Sequence, residues 1–171
     1  MIIRPTNCDD LPAVMSLYEY ARNLMRQNGN FTQWINGYPS EDLIRTEIAD
    51  GHSFVGVDEY GEIVVTFCLI IGEDPTYRVI YGGEWLNDEA YGVIHRMATS
   101  GKQKGVGELC FNWCLGRCKN VRVDTHRDNH AMQHILLKLG FVYCGIIHVA
   151  DGTERLAFQK LCGSLSEQSH F

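Results

Sequence analysis

Residues 93–113 read VIHRMATSGKQKGVGELCFNW: a β-rich run, a glycine-rich basic turn, then apolar residues at helical spacing. A second β-rich run, VRVDTH, follows at 121–126. Strand, helix and strand in that order predict a β-α-β unit whose strands run parallel. The turn between them is also a natural anion site. Gly105 and Gly107 let the backbone approach an oxyanion without a Cβ in the way, and the first amides of a helix point outward. Lys102 and Lys104 add positive charge.

Three phosphate ligands compete for that turn. An ATP loop needs Gly-Lys-Ser/Thr after its spacer, but Gly105 is followed by Val106. The dinucleotide fingerprint needs a third glycine where Cys110 stands. Consecutive backbone amides gripping a pyrophosphate make the third reading, and a plain loop opening a helix is the alternative to all three.

Working outward, MIIRP reads as an opening strand, with Asp9–Asp10 offered as the cap of a helix over residues 11–25. FTQWINGYPS at 31–40 is aromatic but rich in turn formers, and predicts a loop. Ser40 caps a second helix that runs to Ile48. Residues 53–72, SFVGVDEYGEIVVTFCLIIG, form a hairpin about the turn DEYGE. RVIY at 78–81 is a candidate short strand. Toward the other end, NHAMQHILLKLG predicts a helix, and FVYCGIIHV with ERLAFQK a closing antiparallel pair. Apart from the one parallel unit, this order favours an antiparallel α+β sheet.

The 171 residues, 45% hydrophobic and 21% charged, suit one domain over residues 1–161 with a polar tail at 162–171. A net charge of −6 argues against an electrostatic nucleic-acid binder. The longest apolar run, IVVTFCLII at 63–71, is far short of the roughly 20 residues that span a bilayer. MIIRPTNCDD lacks the marks of a signal peptide, so a cytoplasmic location is the default expectation. The seven cysteines are then read as free thiols.

Residues 93–113 and 121–141 together resemble the GNAT superfamily of N-acetyltransferases. In that family a strand leads into Arg/Gln-x-x-Gly-x-Gly/Ala, and a second strand precedes a helix of pattern Asn-x-x-Ala-x-x-Leu-Tyr-x-Lys-x-Gly-Phe. Lys102, Gly105 and Gly107 stand at the loop positions, with lysine in place of arginine or glutamine. Asn129, Lys138, Gly140 and Phe141 match the helix pattern, with Ile135 for leucine and Met132 for alanine.

The resemblance implies a three-layer α+β fold, with a mixed, mostly antiparallel central sheet and helices on both faces. It implies acetyl-CoA as co-substrate, no metal, and transfer of an acetyl group to a primary amine of a small molecule or peptide. The strand at Met97 and Thr99 would pair with the pantetheine arm. Lys102, Gln103, Lys104, Gly105, Val106 and Gly107 would hold the pyrophosphate, and Asn129 would orient the far end of the cofactor. An amide of the strand HRMAT would act as oxyanion donor. Neither a nucleic acid nor a membrane is expected as a partner, and the chain is compatible with a homodimer.

One position departs from the pattern. Leu136 stands where the family places its tyrosine acid, so the acid is unassigned and a non-catalytic acyl-CoA sensor is the rival reading. His95 titrates in the range of a general base, against a core histidine as the plainer role. Glu84 is a candidate for drawing in a cationic amine, as are Asp88 and Glu89, while Trp34, Tyr38 and Trp85 are candidates for the acceptor pocket. Cys110, Cys114 and Cys118 share one helix face, and His130 and His134 are one turn apart; core filling and an exposed polar face account for them without a metal.

Overall fold

The computed structural model describes residues 1–163, so the expected polar tail lies outside the described residues from 164 onward. Seven strands form one sheet: β1 Ile2–Pro5, β2 Ser53–Val57, β3 Ile63–Ile71, β4 Gly92–Thr99, β5 Asn120–Thr125, β6 Val142–His148 and β7 Glu154–Leu161. Their spatial order is β1-β2-β3-β4-β5-β7-β6. Every pairing is antiparallel except β4 with β5. The predicted β-α-β unit is therefore present, as the one parallel crossover in an antiparallel sheet.

Four helices cover the sheet: α1 Leu11–Gln27, α2 Glu41–Ala49, α3 Val106–Leu115 and α4 His130–Lys138. Leu11, Val14 and Tyr18 of α1 and Ile44 of α2 pack with Val55 and Ala98 on one face. On the other, Phe111 and Cys114 of α3 and Leu136 of α4 pack with Phe67, Ile94, Val121 and Val123. Alternation along β4 thus sends Ile94 to one layer and His95 to the other. Burying each large apolar side chain contributes roughly 1.5–3 kcal/mol, so the two layers hold the sheet from both sides.

Two local readings change. Asn7, rather than Asp9 or Asp10, caps the first turn: its side chain accepts from the amides of Asp9 and Asp10. Asp10 accepts from the Asn7 amide at 2.9 Å and pairs with Arg4 at 2.6 Å. RVIY is no strand. Tyr81 alone bridges to Ile146, because Gly82–Gly83 turns the chain across β6, and a Cβ on Gly83 would meet Cys144 O at 2.0 Å.

Two features of β4 shape the centre of the sheet. Its pairing to β5 is confined to Gly92 with Val121 and Val93 with Arg122, after which the parallel strands part. On its other side the register to β3 slips between Thr66 and Cys68, so Arg96 and Met97 together face Phe67. Such a bulge bends a strand and re-aims its side chains. Arg96 sits at φ 52°, a left-handed conformation that a side chain rarely adopts.

Candidate active site at the opening of the sheet

Where β4 and β5 part, a cavity of about 830 Å³ enters the molecule. Ile94, Phe111, Val123 and Met132 form its apolar wall, and residues 32–36 and 149–151 close its rim. His95, Met97, Asn129, Trp34 and Tyr38, all singled out in the sequence, line it. Glu84 does not. It is exposed on the segment outside the cavity. Trp85 is a packing residue: its indole donates to Tyr77 O at 2.9 Å and the Arg122 guanidinium lies 4.2 Å over its ring.

His95 is held between two carboxylates. Its Nε2 lies 2.7 Å from Asp74 Oδ2, and its Nδ1 lies 3.9 Å from Asp124 Oδ1. Asp124 also accepts from the Tyr77 hydroxyl at 2.6 Å. Burial opposes the charge on Asp74, but hydrogen bonds from His95 and Thr76 outweigh it and hold the carboxyl at about 2. An ionised Asp74 only accepts, so His95 Nε2 donates to it, while Nδ1 faces Asp124. Burial and the Asp124 charge keep the Tyr77 phenol protonated, its pKa well above the ordinary value. Asp74 and Asp124 escaped the sequence reading. The signal for Asp124 was a lone carboxylate in the middle of a β-rich run.

A second network braces the bulge. The Arg96 guanidinium donates to Glu47 of α2, and to the Tyr38 hydroxyl at 3.1 Å. Glu47 also accepts from the Cys68 thiol. Tyr18 donates to Arg96 O at 3.0 Å. Four elements thus fix the strained residue beside His95.

The glycine loop lies at the other end of β4. Gly105, at φ 77°, precedes the first residue of α3. Among the described residues, the amides of Gln103 through Gly107 have no acceptor within the protein. Lys102 turns to Glu62 at 3.2 Å and Gln103 to Asp58 at 3.2 Å, both on the turn between β2 and β3. Lys104 is exposed, without a carboxylate partner among the described residues. Val106 buries its side chain in the core, leaving only its amide for a ligand. Thr99 pairs with Val65 in the β3–β4 ladder and does not line the cavity.

Asn129 caps α4 by accepting from the Met132 amide, and donates to Gln33 Oε1 at 3.3 Å. Thr32 meets His126 Nε2 at 2.8 Å, so the 31–40 loop is tied to the turn between β5 and α4. Leu136 is fully buried in the core and Tyr143 is exposed on β6, so neither faces the cavity. Cys110 and Cys114 are core side chains, their thiols pushed up to about 12 by burial.

Known structures share this architecture. An acetyltransferase of the GNAT family from Streptococcus agalactiae is 34% identical, covering 95% of this chain and 96% of its own, with a TM-score of 0.88. A GNAT-family acetyltransferase from Listeria monocytogenes is 16% identical, over 94% of each chain, with a TM-score of 0.71. A NatC complex bound to Gag peptide and CoA is 11% identical over 94% of this chain and 97% of its own, with a TM-score of 0.62, a likeness of fold. No protein-family model and no curated protein matches the sequence. At that identity and coverage the Streptococcus agalactiae likeness supports acetyl transfer in general, beyond a shared fold. The chain belongs to the GNAT family of acetyltransferases.

Proposed function

We propose that the protein transfers an acetyl group from acetyl-CoA to a primary amine of a small molecule or peptide, by direct attack within a ternary complex. The observation that carries this reading is the parting of β4 from β5, with free loop amides at one end and His95 between two carboxylates at the other.

Acetyl-CoA supplies the acetyl group as a thioester. The amides of Gln103 to Gly107 hold its pyrophosphate, with Lys104 near enough to add charge. The Met97–Thr99 backbone pairs with the pantetheine arm, and Asn129 orients it. An amide of the β4 bulge would donate to the thioester oxygen, where negative charge develops during attack. Trp34 and Tyr38 wall the acceptor side.

An acceptor amine of pKa about 10.4 enters as ammonium and must lose a proton to attack. Nδ1 of His95 accepts that proton, with the imidazolium stabilised by Asp74 on its other nitrogen. The amine nitrogen then bonds to the carbonyl carbon and the C–S bond breaks. The nitrogen's second proton is available to the departing thiolate. A free thiol has a pKa of roughly 8.5, so this leaving group departs without the acid that Leu136 cannot supply.

The test is thiol release from acetyl-CoA across a panel of amines. His95→Ala is expected to lower kcat about 10²- to 10⁴-fold and to flatten the acid limb of the pH–rate profile. A variant that keeps the wild-type profile excludes His95 as base. Tight acetyl-CoA binding with no release for any amine would replace this reading with the sensor.

A further inference from the structure

Arg155 of β7 lies in the cavity wall and is only 9% exposed. Among the described residues its guanidinium meets Thr153 Oγ1 at 2.9 Å and Glu154 O at 3.0 Å, both through one nitrogen, and pairs with no carboxylate. Asp151 feels this charge but makes no ion pair with it, and arginines are seldom buried without a direct partner. The carboxylates nearby are otherwise engaged. Asp151 accepts from both the amide and the hydroxyl of Thr153, and Glu154 pairs with Arg127 at 2.6 Å. The field of Arg155 reaches its neighbour: burial first, and the Arg155 charge next, hold the His126 imidazole below its ordinary value.

The register of the sheet places this charge. Asp124 is directly opposite Ala157, and Arg155 is two residues further along the same strand. Alternate residues share a face, so Arg155 and Asp124 stand on the same side of the sheet, with Cα atoms about 7–8 Å apart. His95 is on that side too, beside Asp124. One face of one cavity therefore carries His95 Nδ1 with Asp124 and, on the neighbouring strand, an arginine fork. The other arginine at the cavity, Arg96, is already committed to Glu47.

We propose that the acceptor is a primary amine bearing a carboxylate, with its amine at His95 and Asp124 and its carboxylate on Arg155. This rests on the acetyltransferase reading and adds the substrate class. A single guanidinium beside Asp151 suits a monoanion; a phosphomonoester would need more positive charge than the wall supplies. Planar two-point recognition of carboxylate is the geometry an arginine fork is built for. The reaction is the same transfer: the N–C bond forms, the C–S bond breaks, and the carboxylate is a handle that takes no part.

The experiment compares matched acceptors with the full chain: amino acids, their carboxamides, their decarboxylated amines and a phosphate-bearing amine, all read by thiol release. Acetyl-CoA binding is measured separately by calorimetry. The acids are expected to have kcat/KM about 10- to 100-fold above the amides, the gain of one charge-assisted pair. Arg155→Gln should collapse that ratio to near one, chiefly through KM, while acetyl-CoA affinity and the melting temperature hold. Arg155→Lys should restore part of it. Release that is equal or greater with the amides or decarboxylated amines overturns the substrate class and leaves the acetyltransferase intact, as does a preference for the phosphate. Acetyl-CoA bound with no release by any acceptor overturns both.

Discussion

At His95 the two ring nitrogens face different neighbours, and the difference sets what the residue can do. Asp74 holds one nitrogen protonated; the other opens toward Asp124 and the cavity. Because the folded Asp74 carboxyl lies at about 2, below the usual carboxylate value near 3.9, its pairing favours the folded state above pH 4. That contribution fades as the pH falls from about 4 to 2. Asp74→Asn should therefore lose on the order of 2 kcal/mol at neutral pH, with the gap to wild type closing toward pH 2 in urea titrations. A constant gap would mean that charge is not the cause. His95 stood out in the sequence as a titratable residue on a strand beside a glycine loop. Its partners did not, because Asp74 is 21 residues away in a loop and only the fold brings them together. Glu84 misled for the complementary reason: acidic residues close in sequence to β4 are carried outside the cavity by the turn at Gly82–Gly83.

The elements themselves were far more legible. Period-two and period-3.6 patterns act locally, and they placed all seven strands and four helices in order. What the pattern could not display was the bulge: it moves the inward phase from Ile94 to Met97, but IHRMA holds too few apolar residues to register that shift. Its support comes from α2, where Glu47 reads as one more polar helix residue and is in fact buried against Arg96. Glu47→Gln should strip the counter-charge from a buried guanidinium held at φ 52°. The expected loss is about 3 kcal/mol or more, read as a fall in melting temperature. Turnover should fall as well, since the bulge carries His95's neighbour. A variant as stable and active as wild type would show that the bulge needs no brace.

For the whole molecule, the linkage between ligand and fold is the accessible measurement. A ligand that binds only the folded chain, at 100 times its dissociation constant, adds about 2.7 kcal/mol. For a chain of this length that is a rise of about 5–10 °C in melting temperature on adding CoA. Gly105→Val should abolish the rise, since a β-branched residue is strained at φ 77° and its side chain would stand where the loop amides meet a ligand. A full rise in that variant would move the cofactor site elsewhere.

The seam between β4 and β5 carries a consequence for how the protein breathes. Two register pairs, Gly92 with Val121 and Val93 with Arg122, are the whole ladder joining the antiparallel plate β1–β4 to the plate β5–β7. Each plate zips its own strands along their lengths, while the seam depends on side chains of α3 and α4 packed across it. The plates should thus behave as two cooperative units. Amides of β4 beyond Val93 and of β5 beyond Arg122 are expected to exchange with solvent deuterium earliest among the central strands. They should slow together once the wedge is filled, the occupant standing in for the rungs the sheet lacks.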